Sequence, residues 1–125
     1  NAFDVLVMDV FSSDAVPVHL LTREAFEIYM RHLRDEDSIM AIHISNRFLD
    51  LRDLVANTAR QFGLETIVID YERKAAGNTA SLWCLLTRSK TFLNHPELAK
   101  GQRIKGSATG LIWTDDYSNL FRVLK

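Results

Sequence analysis

The pattern of hydrophobic positions divides the chain into short apolar runs separated by amphipathic stretches. Nearly continuous runs of Val, Leu, Ile and Met are typical of strands that are covered on both faces, as in a parallel sheet. The runs that predict strands occupy residues 5–8, 38–44, 66–70 and 81–87. The first of them ends abruptly at an acid, Asp9, and the third ends at another, Asp70.

Two stretches between these runs carry apolar residues at helical spacing. The first predicts a helix from Thr22 to about Arg34, with the Thr22 side chain as N-cap. The second predicts a helix from about Asp50 to Phe62. Gly63 follows at the position where a left-handed residue ends a helix. Helices therefore connect the first strand to the second and the second to the third.

The order strand, helix, strand, helix, strand, strand indicates an α/β fold with a mainly parallel sheet. The last two strands are joined without a helix, which predicts an antiparallel pair at the sheet edge. Beyond them, Pro96 predicts the start of a short helix, residues 101–110 are predicted to be loop, and residues 117–124 are predicted to form a final helix.

Composition narrows the class of protein. With 125 residues and a net charge of −1, the chain has the size of one domain and the balance of a soluble globular protein. No basic surface for nucleic acid is visible, since the densest basic cluster, 100–105, is interrupted by glycine. No apolar stretch approaches the ~20 residues that span a bilayer, and no basic region for a signal peptide precedes the first run.

A single cysteine, Cys84, rules out an internal disulfide and fits a reducing compartment. Because it lies within an apolar run, the sequence predicts a buried strand cysteine rather than a reactive thiol.

The chain also reaches its first strand within three residues and lacks an initiator Met. We therefore expect it to be a piece of a longer protein.

Several common sites have no signature here. There is no Gly-x-Gly-x-x-Gly, no Gly-rich phosphate loop, no glycine-flanked nucleophilic serine and no Cys/His metal spacing. The four histidines are spread over different elements. His19 and His43 lie near predicted strand or loop ends, whereas His32 is predicted on a helix surface and His95 in a loop. They rank below the acids as candidates.

Asp9 and Asp14 are the strongest candidates, because they flank a polar loop at the carboxyl end of a buried strand. Ligands of open parallel α/β sheets bind beyond that end. In one interpretation Asp14 bonds its own loop backbone and Asp9 caps the strand. In the other interpretation, the two acids form a pocket for a cationic substrate. One carboxylate then accepts a proton from the substrate's amine as that amine becomes a nucleophile.

The run Asp9–Thr22 closely resembles the active-site loop of spermidine synthase-like proteins, which are aminopropyltransferases on the methyltransferase-type Rossmann fold. The segments 38–44 and 77–90 fall where that family would place them. The stretch 113–119 resembles the ending of a bacterial branch, some of whose members are fused to transporter-like membrane segments. The resemblance covers nearly all of the chain.

The resemblance implies that the chain is the second half of an S-adenosylmethionine-dependent methyltransferase-like Rossmann domain, including its antiparallel last strand. The half that binds the cofactor would precede Asn1, so the isolated chain is expected to be inactive. The implied co-substrate is decarboxylated S-adenosylmethionine or S-adenosylmethionine itself, without a metal. The implied partner is a small polyamine such as putrescine, and the implied location is cytoplasmic, or tethered to the inner face of a membrane.

Residue by residue, the resemblance implies that Asp9 takes the proton from the attacking amine and that Asp14 binds the polyamine chain. Ser12 and Ser13 of the same loop are assigned to substrate binding. Tyr71 is assigned to the pocket wall from its position after the third strand, without a motif match. Asp115 and Asp116 match the terminal motif without an assigned role. Four residues separate the two acids, against two in spermidine synthases proper, so the acceptor amine stays open.

Two alternatives of other classes stay open: a methyltransferase-fold module that serves binding or assembly without catalysis, and a methyltransferase acting on a small amine.

The first strand would also lack neighbours on one side in this chain and form an exposed apolar edge. Because such edges recruit partners, we expect a homodimer or larger assembly.

Overall fold

The computed structural model describes residues 3–9, 18–44, 50–72, 80–107, 109–115 and 123. Its strands are β1 Val5–Asp9, β2 Ile39–His43, β3 Glu65–Glu72, β4 Ala80–Thr87 and β5 Gln102–Ile104. Its α-helices are α1 Arg23–His32, α2 Arg52–Gln61 and α3 Lys90–Leu93. Short 3-10 helices cover Val18–Leu20 and Pro96–Lys100.

The fold is α/β, with one mixed sheet of five strands in the order β1-β2-β4-β3-β5. Only β1 and β2 pair in parallel, whereas β4 is antiparallel to both β2 and β3, and β5 is antiparallel to β3. The expectation of a mainly parallel sheet was therefore wrong. The antiparallel pairing of β3 with β4 is confirmed, but β4 lies inside the sheet and not at its edge.

The position of β4 explains that correction. Strands β1, β2 and β3 all run in one direction, as the helical connections predicted, but β4 inserts between β2 and β3. One parallel contact is thus replaced by two antiparallel ones. The segment 73–79 that joins β3 to β4 is too short for a helical crossover, which requires a dozen or more residues.

Both long helices pack on one face of the sheet. Strand side chains alternate between faces, and one alternating set joins the core with Phe26 of α1 and Leu54 and Val55 of α2. On the strands that set comprises Leu6, Met8, Met40, Ile42, Val68, Cys84 and Leu86. The alternate positions, which include Asp9, His43 and Trp83, consequently lie on the opposite face.

The helix signals in the sequence are confirmed. Thr22 is the N-cap of α1, and its Oγ1 accepts a hydrogen bond of 3.2 Å from the Ala25 N–H. Gly63 follows α2 with a φ of +73°, the left-handed conformation that glycine adopts most readily. Among the described residues, no helix is long and apolar enough to cross a membrane.

The segment after β4 differs from the expectation in two places. Residues 102–104 form β5 within the stretch that was predicted to be loop, because they pair with Thr66, Ile67 and Val68 of β3. A helical turn, α3, also precedes the predicted helix at Pro96, where the His95 Nδ1 caps the Glu97 N–H at 3.2 Å. Most of the predicted final helix, 117–124, lies outside the described residues.

Strand β1 forms one edge of the sheet. Its Val5 and Val7 side chains are 53% and 60% exposed, on the face away from the helices. The prediction of an exposed apolar edge is confirmed, and the pattern-based expectation that both faces of this strand are covered is wrong in this chain. Phe3, immediately before the strand, is also exposed.

Candidate functional site

The carboxyl ends of β1 and β2 bring Asp9 and His43 together. Each is the last residue of its strand, and the two are register partners in the parallel pair. Side chains at paired positions point to the same face of a sheet. The His43 Nδ1 lies 3.1 Å from the Asp9 Oδ1. An ionised carboxylate only accepts hydrogen bonds, so in this contact Nδ1–H is the donor and the Asp9 Oδ1 the acceptor.

An aromatic ring extends this row onto β4. Trp83 is the register partner of His43, and their ring centroids are 4.9 Å apart with an interplanar angle of 34°. Trp83 is itself paired with Ile69 of β3, so the row crosses four strands on one face. The arrangement puts a carboxylate, an imidazole and an indole side by side, with the first two at the ends of β1 and β2 and Trp83 inside β4.

Solvent exposure differs among the side chains of Asp9, His43 and Trp83. The Asp9 side chain is 54% exposed and the His43 side chain 21%, while Trp83 is half-buried. A ligand approaching this edge would therefore meet the carboxylate first. A carboxylate beside an aromatic face is suited to cations, because the carboxylate pairs with positive charge and the ring face attracts it.

The other predicted site residues are placed less fully. Asp14, Ser12 and Ser13 lie outside the described residues, as does Asp116, so their assignments remain predictions. Tyr71 lies in β3 as the register partner of Ser81, within the strand and not after it as the sequence suggested. Of the terminal motif, Asp115 uses its backbone N–H to bond the Glu24 Oε2 of α1 at 3.0 Å.

His43 is the residue that sequence reasoning undervalued. It was ranked below the acids because the four histidines are spread over different elements of the predicted fold. A signal was present, however. If two consecutive strands are parallel neighbours, their carboxyl ends meet at one edge, and Asp9 and His43 each lie within one residue of the end of a predicted strand.

Two cavities in the described part of the chain lie elsewhere. The larger, about 390 Å³, opens beside the amino end of β3 at the opposite edge of the sheet. Two of its cations are engaged by the protein, since Arg60 donates to the Gly106 carbonyl at 2.9 Å and Arg103 to the Leu93 carbonyl at 3.0 Å. Its polar groups thus fasten α2 and β5 in place.

The second cavity, about 350 Å³, is lined by residues of α2 and by Gly110 and Leu111. Asp50 at its rim is bonded through both carboxylate oxygens to Arg52, at 3.0 and 2.9 Å. These bonds raise the pKa of the Arg52 guanidinium. Asn57 joins the Ser107 N–H to the Leu111 carbonyl. Each of these contacts has a structural role.

Cys84 is buried in β4, as predicted. Burial raises the pKa of its thiol to about 12. The thiolate, which is the nucleophilic form, is therefore suppressed at neutral pH.

Among the described residues, no group of three or more His, Cys, Asp or Glu side chains is arranged to hold a metal ion.

Comparisons of the chain with protein-family models, with curated proteins and with solved structures found no match.

Proposed function

We propose that this chain is part of a spermidine synthase-like transferase, which moves an aminopropyl group from decarboxylated S-adenosylmethionine to an amine such as putrescine. The observation that carries the proposal is the half-exposed Asp9 carboxylate, bonded to His43 at the carboxyl ends of two parallel strands. This is the acid that the motif resemblance assigns to accepting the proton of the attacking amine.

The chemistry asks for such a group. The amine must be neutral for its nitrogen lone pair to attack the carbon beside the sulfonium. As the N–C bond forms, the C–S bond breaks, and its electron pair goes to sulfur, which leaves as methylthioadenosine. The nitrogen then releases a proton to the Asp9 carboxylate, which has to lie within hydrogen-bond reach of it. The far ammonium of a diamine needs a carboxylate partner, the role proposed for Asp14.

The topology supports a further part of the proposal, that the chain forms the second half of a methyltransferase-type Rossmann domain. Strands β1, β2 and β3 share one direction, and β4 follows them antiparallel, as the resemblance implies for the last strand of that domain. On this proposal the cofactor is held by a preceding half. We also propose a cytoplasmic location, which suits the single free Cys84.

Product analysis tests the proposed reaction. The protein, together with the cofactor-binding half that the resemblance implies, is offered putrescine with decarboxylated or with ordinary S-adenosylmethionine. The expected result is an aminopropyl adduct of putrescine, formed with methylthioadenosine and only from the decarboxylated donor. A methyl adduct from the ordinary donor would make the protein a small-amine methyltransferase. No product from either donor with putrescine, cadaverine or spermidine would favour a non-catalytic module.

A further inference from the structure

The imidazole of His43 is held from two sides. On one side its Nδ1 bonds the Asp9 Oδ1 at 3.1 Å, and on the other its ring packs 4.9 Å from the Trp83 ring. Both partners lie at the same register level on the neighbouring strands, so the contacts are built into the sheet. With 21% of its side chain exposed, His43 is the better enclosed member of the Asp9–His43 pair.

Asp9 needs such a support. Its side chain is 54% exposed at the end of an edge strand, and the His43 ring reaches its carboxylate from the neighbouring strand. Proton acceptance from an attacking amine demands a fixed oxygen position, because a misplacement of about 1 Å in a reacting group can cost on the order of 100-fold in rate. The His43 N–H supplies a directional contact that narrows the orientations of the Asp9 carboxylate.

We propose that His43 is the positioning residue of this site: its Nδ1–H orients the Asp9 carboxylate, and the Trp83 ring keeps the imidazole in place. This inference rests on the proposed function, in which Asp9 accepts the proton. His43 acts through Asp9 and not on the substrate, since its Nδ1 is committed to the carboxylate and its ring is the less exposed of the two.

Two substitutions at His43 separate the effect of losing the hydrogen bond to Asp9 from the effect of losing the imidazole ring. In His43→Asn, the amide nitrogen lies the same number of bonds from Cα as Nδ1, so the donor to Asp9 is kept while the ring is lost. In His43→Ala the donor is lost as well. His32→Ala is the matched control, because His32 is an exposed histidine at the end of α1.

The kinetic test uses the complete transferase, with the aminopropyl transfer rate as readout. In His43→Ala we expect kcat to fall about 10- to 100-fold with the KM for the amine within about 2-fold of the wild type. In His43→Asn we expect most of that loss in kcat to be restored, and His32→Ala should match the wild type. Unchanged kcat in His43→Ala, or equal losses in the Asn and Ala variants, would overturn the positioning role.

A second measurement needs no activity. Ring-nitrogen NMR of the wild-type protein should show the neutral His43 ring protonated at Nδ1, and Asp9→Ala should remove that preference. A neutral ring protonated at Nε2 in the wild type would overturn the proposal, since Nδ1 would then have no proton to donate. A wild-type protein that makes no aminopropyl product would instead overturn the proposed function, and with it the role given to this hydrogen bond in catalysis.

Discussion

Asp9 gains its partner because β1 and β2 pair in one parallel register. Strand side chains alternate with a period of two, so a slip of one residue would move His43 to the helix-covered face and away from Asp9. The register is fixed by the core, where Leu6 and Met8 pack with their partners Met40 and Ile42. The polar pair on one face is thus held by apolar packing on the other.

At the same scale, Cys84 gives a prediction on pH. Burial raises the pKa of its thiol from 9.0 to about 12 in the folded protein. Above pH 9 the unfolded thiol releases its proton while the folded one keeps it, so alkaline conditions favour unfolding. We expect the free energy of unfolding to fall between about pH 9 and pH 12, by on the order of a few kcal/mol from this residue.

Urea denaturation of the wild type and of Cys84→Ala over that range measures the effect. The variant starts less stable because it loses buried volume, but its stability should fall less steeply with pH. Tyr29, whose pKa is also raised by burial, contributes equally to both proteins. Parallel curves for the two proteins would show that Cys84 does not carry the effect.

At the scale of elements, the sequence predicted those features that depend on neighbours in the chain. The N-cap at Thr22, the left-handed Gly63 and the four longer strands follow from local patterns, and the structure confirms them. The place of β4 within the sheet and the existence of β5 depend on pairing between distant segments. The period of the hydrophobic pattern contains no information about which strands become neighbours.

Trp113 shows the same limit. In the sequence it had a place only in the terminal motif 113–119, yet it is fully buried and forms an isolated bridge with Thr22. Its carbonyl accepts a 2.8 Å hydrogen bond from the Arg23 N–H. The site was likewise half predictable: Asp9 could be named from its place after the first strand, while its pairing with His43 required the register.

The capping of α1 gives a prediction for this element. Thr22→Val keeps the shape of the buried side chain but removes the hydroxyl that accepts from the Ala25 N–H. Loss of an N-cap costs about 1 kcal/mol, and chemical denaturation should show a loss of that size. Thr58→Val is the matched control. The Thr58 hydroxyl donates to the Leu54 carbonyl within α2, and that carbonyl already accepts a backbone hydrogen bond of the helix.

An equal loss of stability in Thr22→Val and Thr58→Val would contradict this account of the cap. The cost would then come from burying a valine at either position and not from the missing hydrogen bond.

At the scale of the molecule, the exposed edge strand β1 bears on assembly. We propose that the chain self-associates through this edge, since an edge strand with exposed Val5 and Val7 can pair with a second copy. Val7→Lys should shift the protein toward the monomer in light scattering. Ile28→Lys is the control, because Ile28 is similarly exposed, at 51%, but lies on α1. A monodisperse wild-type monomer would contradict the proposal.

In the proposed reaction Asp9 accepts the proton of the attacking amine, and a comparison of two carboxylates tests that role. Aminopropyl transfer to putrescine is measured for Asp9→Asn beside Asp4→Asn. Asp4 is an exposed carboxylate just before the same strand, paired with Arg34 at 3.3 Å. A general base contributes about 10²- to 10⁴-fold, so we predict a loss of that size in kcat for Asp9→Asn and no comparable loss for Asp4→Asn. A fully active Asp9→Asn protein would contradict the account.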